Sequence, residues 1–158
     1  MNAAATDFGI IELPECTIVG VNYPLAGERP DLILYGWTKA AARLTDVEGK
    51  VSPHVLYAVW HRPDGRAATP PQYLIGVEVS QGSELAEGLM ALTIPAGRHA
   101  AVRQHGHLDF GRSYDALHQW VAAQGLSYRA PQAPTVEIYD TSQPLGADFE
   151  VLIAEPVE

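Results

Sequence analysis

Apolar and polar positions along the chain fall into short extended runs and two stretches of helical spacing. Residues 8–23, FGIIELPECTIVGVNY, read as a strand broken by Pro14, and residues 89–104, LMALTIPAGRHAAVRQ, read the same way, broken by Pro95. Proline confines a strand to an edge, bend or bulge, so both copies are expected to kink at the same place. Aligning the two prolines pairs Leu13 with Ile94, Ile18 with His99 and Val21 with Val102. The first copy leads into RPDLILYGWTKAAARLTDVEG, where Asp31 is an N-cap candidate. Leu34, Trp37, Ala41 and Leu44 form its apolar stripe, and Gly49 lies beyond its end. The second leads into HLDFGRSYDALHQWVAAQG, with Asp109 as cap candidate, Tyr114, Leu117, Trp120 and Val121 as stripe, and Gly125 as stop. Tyr114 and Trp120 read here as core residues. A pair of strands closes each half: HVLYAVWH with QYLIGVEVS, and TVEIYD with FEVLIAEPV, joined by loops rich in turn residues.

The order is therefore β-α-β-β, twice. It predicts an α+β fold of tandem pseudo-twofold β-α-β-β modules, spanning about 8–80 and 88–157 of a single domain over residues 1–158. The connector GSELAEG at 82–88 is short, so the modules are expected to pack together. Two such units would form an antiparallel sheet with two helices on one face, flanking a cleft of the kind that often holds a small molecule.

Composition narrows the partners. The net charge is -9, with no basic cluster, which argues against nucleic-acid binding by this chain. The longest apolar runs, such as LYAVW, fall far short of the roughly 20 residues of a membrane span. No basic region leads into an apolar stretch at the start MNAAATDFG, and Cys16 is the lone cysteine. Both features point to a cytoplasmic setting with no internal disulfide. Cys16 reads as a small half-buried residue rather than a nucleophile.

One residue stands out. Glu137 interrupts the strand PTVEIYD, where Val136, Ile138 and Tyr139 are strand formers. Strand interiors are depleted in Glu, and a buried carboxylate costs several kcal/mol unless something compensates it. On the residues alone, Glu137 and Tyr139 could line a solvated edge or a pocket, since residues two apart share one strand face.

The runs YLIGVEV and IPAGRHAAVRQHG, the strand EIY and the closing strand FEVLIAEPV, in this order, resemble the GyrI-like small-molecule-binding domain, and GWTKAAARL and VLYAVW match it more weakly. This domain, of the duplicated SHS2 type, also serves as the effector-binding half of AraC-type and MerR-type regulators. The resemblance covers about Phe8 to Val157. It implies a ligand cleft between the modules, with a Glu in an E-x-Y strand motif at the floor of an aromatic-lined pocket. That motif falls on Glu137 and Tyr139. The implied ligand is a hydrophobic, cationic small molecule: the carboxylate gains from an incoming cation, and aromatic walls add roughly 0.5–2 kcal/mol per contact. Leu56, Ala58 and Trp60 make the equivalent row on the first-half strand, and Tyr57 is the alternative should the register slip by one residue. Trp37 stands between a core role and a place in the cleft.

His99, His105, His107 and His118 suggest a metal, but no H-E-x-x-H or C-x-x-C accompanies them, so neither metal nor cofactor is expected. No nucleophile elbow or phosphate loop appears either. The reading is a sensing or sequestering module. Fewer than ten residues precede Phe8, leaving no space there for a helix-turn-helix, so any link to transcription is expected to run through a partner. The resemblance also implies two alternatives. One is hydrolysis of reactive, cyclopropane-bearing toxins, with Glu137 as general base and Tyr139 steadying the developing anion. The other is a protein interaction module like the family's name-giving inhibitor of DNA gyrase.

Overall fold

A computed structural model describes residues 7–24, 39–62, 71–80, 85–105, 110–129, 133–140 and 150–158. Eight strands form one antiparallel sheet: β1 (Asp7–Leu13), β2 (Cys16–Pro24), β3 (Val55–His61), β4 (Gln72–Val79), β5 (Met90–Ile94), β6 (Gly97–His105), β7 (Thr135–Asp140) and β8 (Glu150–Pro156). Helical residues 39–44 (α1) precede β3, and α2 (Phe110–Ala123) precedes β7. The fold is thus α+β, with both helices on one face of the sheet.

The strand order is β1-β6-β8-β7-β3-β4-β2-β5. Exchanging β1–β4 with β5–β8 leaves this order unchanged when it is read from the other end. Each proline does more than kink a strand. Pro14 separates β1, which pairs with β6, from β2, which pairs with β4 and β5. Pro95 likewise separates β5 from β6. The expected pair of bent strands is therefore four strands with different partners.

These short links also curve the sheet. β1 and β2 lie six places apart in the order, about 29 Å in a flat sheet at ~4.8 Å per strand. The link from Leu13 to Cys16 spans at most about 11 Å, at 3.8 Å per residue. The sheet must roll until its ends approach, with the face away from the helices turned inward. Leu13 of β1, Ile94 of β5 and Val136 of β7 accordingly line one cavity of about 40 Å³. Ile18, Val59, Leu74, Ile94 and Val136 fill this inner face. Gly20 and Gly76 face each other across β2 and β4, and a Cβ on Gly20 would lie 2.0 Å from the Ile75 carbonyl oxygen. No larger residue permits that approach.

The helix-facing side holds the main core: Val19, Ala58, Ile75, Val77, Ala100, Val102, Val151 and Ile153 from the sheet, with Ala40, Leu44, Leu117 and Val121 from the helices. In α1 the buried stripe passes through Ala40 and Leu44, whereas Ala41 is exposed. Residues four apart stack on one side of a helix, and Ala41 is turned off that line. Helical structure ends at Leu44, ahead of Gly49. In α2 the Gly125 stop is a Schellman cap: Leu126 N–H donates to Val121 O at 3.1 Å and Gly125 N–H to Ala122 O at 3.1 Å, with Gly125 at φ 68°. Trp120 packs on the core and stacks on Phe8 with ring centroids 5.8 Å apart. Asp31, Leu34, Trp37 and Asp109 lie outside the described residues. No helix among the described residues is long and apolar enough to cross a membrane.

Candidate functional site

β7 lies between β8 and β3 in the middle of the sheet, so Glu137 is not on a wet edge. Its side chain points toward the helices and is 2% exposed. The residue directly across on β3 is Ala58, the smallest side chain of its row. Leu56 and Trp60, two positions either way from Ala58, share its face, with Leu56 opposite Tyr139.

Four donors converge on the Glu137 carboxylate. Oε1 accepts from Tyr139 Oη at 2.7 Å and Tyr73 Oη at 3.1 Å. Oε2 accepts from Tyr114 Oη at 2.6 Å and Trp60 Nε1 at 3.0 Å. The donors come from β7, β4, α2 and β3, so the cluster forms only when sheet and helix are assembled. Each hydrogen bond to a charged group is worth roughly 1.5–3 kcal/mol. Together they offset the several kcal/mol that burying a carboxylate costs. Burial first, and then the charge of Glu137, push the Tyr114 and Tyr139 phenols far above their usual range. Both stay neutral donors.

All four donors are neutral, and among the described residues no Lys or Arg pairs with Glu137. Among the described residues the carboxylate is thus met by neutral donors alone, inside an aromatic shell. Trp60 and Tyr73 are in ring contact at 4.5 Å and an interplanar angle of 49°.

Of the residues singled out in the sequence, the structure brings together Glu137, Tyr139 and Trp60, with Leu56 beside them on the same face. Tyr57 is on the opposite, inner face with Val59 and Ile138, because side chains alternate along β3. Trp37 lies outside the described residues. Two partners of Glu137 escape a reading of the sequence. Tyr114 reads as core, yet its hydroxyl reaches Glu137, and Tyr73 is inconspicuous in an apolar strand. Their shared signal is a hydroxyl on an otherwise apolar stripe, which needs a polar partner when buried. No cluster of His, Cys, Asp and Glu suited to a metal occurs among the described residues.

Comparison with known proteins gives the same picture at the level of family. A profile of the GyrI-like small molecule binding domain matches residues 6–154. The transcriptional regulator BrlR of Pseudomonas aeruginosa is 29% identical over 154 residues, which cover 94% of this chain and 54% of BrlR. The chain thus spans about half the length of that curated relative. Among solved structures, SAV2435 bound to tetraphenylphosphonium has a TM-score of 0.75 at 15% identity, over 97% of this chain and 94% of that one. The C-terminal domain of EcmrR has a TM-score of 0.69 at 18% identity, over 96% and 97%. A hydrolase from Listeria innocua shares the fold at a TM-score of 0.59 and 12% identity, over 99% and 94%. The profile spans nearly all of the sheet and both helices: the chain belongs to the family of GyrI-like small molecule binding domains.

Proposed function

We propose that this domain binds hydrophobic organic cations over the Glu137 cluster, as a sensing or sequestering module. The observation that carries this reading is the four-donor shell: among the described residues, neutral donors alone meet the Glu137 carboxylate, inside aromatic walls. Tyr139, Trp60 and Leu56 line the approach to that charge, with Tyr73 and Tyr114 holding it in place. A lipophilic cation gains from the charge without needing directional hydrogen bonds, so ligands of different shape are accommodated.

The same shell favours binding over hydrolysis. A general base needs a lone pair aimed at water, and each oxygen of Glu137 already accepts two hydrogen bonds. A titration calorimeter tests the reading, using tetraphenylphosphonium and its neutral relative triphenylphosphine oxide. The cation is expected to bind more than about tenfold tighter, a difference of ~1.4 kcal/mol. Equal affinities, or catalytic turnover of an electrophilic substrate, would overturn it.

A further inference from the structure

Glu137 is not the sole buried carboxylate on the helix-facing side. Glu155 of β8 is 7% exposed. Glu137 pairs across the strands with Ile153, and Glu155 lies two residues further on the same face. The two carboxylates are therefore diagonal neighbours, with Cα atoms about 7–8 Å apart.

Their surroundings differ sharply. Among the described residues, Glu137 has four neutral donors, whereas Glu155 meets one ionisable group: His118 Nε2 at 2.7 Å from Oε1. A protonated imidazole at this distance makes an ion pair with the carboxylate. Burial pushes the Glu155 carboxyl above the usual range, with His118 pulling the other way. The His118 side chain is 51% exposed, so it covers Glu155 from outside.

The imidazole is also in contact with two aromatic rings. Tyr114 lies 6.2 Å away at an interplanar angle of 50°, and Tyr128 6.0 Å away at 89°. Both phenols feel Glu155: its charge adds to burial in raising Tyr114 and in pushing Tyr128 up to about 12. One carboxylate and two aromatic rings make the chemistry of a cage for an organic cation. Tyr114 is common to this cage and the Glu137 shell, since its hydroxyl bonds Glu137 while its ring faces His118.

We propose that Glu155, Tyr114 and Tyr128 form a second cation subsite, which His118 fills as a built-in occupant until a ligand displaces it. Resting on the reading of Glu137 above, this identifies the favoured ligand class as molecules with two cationic centres, one lipophilic and one small. The lipophilic centre lies over Glu137. The small ammonium head takes the place of the imidazole, which swings into solvent from the outer side of α2.

Two arms test this separately from the Glu137 reading. The first compares a triphenylphosphonium carrying a trimethylammonium head on a short alkyl chain with the same molecule ending in neutral tert-butyl. The charged head is expected to tighten binding at least about tenfold in the native protein, and the gain to vanish in Glu155→Gln. Equal affinities for the two molecules, or a gain that survives Glu155→Gln, would overturn the subsite. The second arm needs no ligand at Glu137. Tetramethylammonium chloride, against sodium chloride at equal ionic strength, is expected to raise Tm saturably in His118→Ala and not in His118→Ala/Glu155→Gln. No rise, or the same rise in both variants, would contradict the proposal. If neither phosphonium binds the native protein, the Glu137 reading fails, and the second arm still decides the fate of Glu155.

Discussion

Ala58 stands directly opposite Glu137 across the β3–β7 pair, and the two are 0% and 2% exposed. The pairing places the smallest side chain of the Leu56, Ala58, Trp60 row against the buried carboxylate of the facing strand. A larger residue at position 58 would take the space that the carboxylate and its tyrosines share. Ala58→Leu is expected to cost about 1–3 kcal/mol by overpacking and to weaken binding of lipophilic cations. Urea denaturation and a cation titration measure the two effects. An unchanged midpoint would mean the space beside Glu137 is loose.

The Tyr114–Glu137 hydrogen bond ties α2 to the centre of the sheet, at 2.6 Å. Tyr114→Phe removes a donor to a buried charge, so it is expected to lower stability by about 1–3 kcal/mol. The measurement is the urea midpoint. A neutral outcome would show that water or another group takes over the vacant position on Oε2.

How much of this is legible in the sequence depends on how local each signal is. The strands, the Pro14 and Pro95 breaks and the Gly125 stop rest on neighbouring residues, and they can be read. That Pro14 hands the chain from one end of the sheet to the other cannot, because strand pairing is set by distant partners. Glu137 is conspicuous, since charge is rare inside a strand. Tyr73 and Tyr114 are not, because a buried tyrosine looks like any apolar stripe residue until its hydroxyl finds a partner. Ala41 and Ala40 illustrate the same limit on a smaller scale, where one residue decides which side of α1 is buried.

The tyrosines also set the alkaline limit of stability. Burial and Glu137 raise the Tyr114 and Tyr139 phenols in the folded state, while unfolded phenols ionise near pH 10, roughly their reference value. A raised folded pKa contributes stability that is fully present below the unfolded value and lost as pH rises beyond it. Stability is therefore expected to fall from about pH 10 upward, by about 1.4 kcal/mol per pH unit for each such phenol. Tyr114→Phe should reduce that slope by one phenol's share. Urea titrations at several pH values between 9 and 11, roughly bracketing the unfolded phenol, check this. An identical slope in the variant would contradict the assignment.

Cys16 borders the cavity on the inner face, and burial, followed by the charges of Glu78 and Glu15, pushes its thiol up from 9.0 to about 11. Since the thiolate is the reactive form, alkylation by iodoacetamide near neutral pH is expected to be about 100-fold slower in the folded than in the urea-unfolded chain, as each pKa unit is roughly tenfold in thiolate. Comparable rates would show that Cys16 is neither shielded nor raised.

In the proposed function, the charge of Glu137, and not merely its aromatic surroundings, draws the ligand. Its most direct test is calorimetric titration of tetraphenylphosphonium into the native protein and into Glu137→Gln, which keeps the side-chain shape while removing the charge. Binding to the native protein is expected, with affinity lower by at least about tenfold, ~1.4 kcal/mol, in the variant. Equal affinity in a variant that still unfolds cooperatively would contradict it.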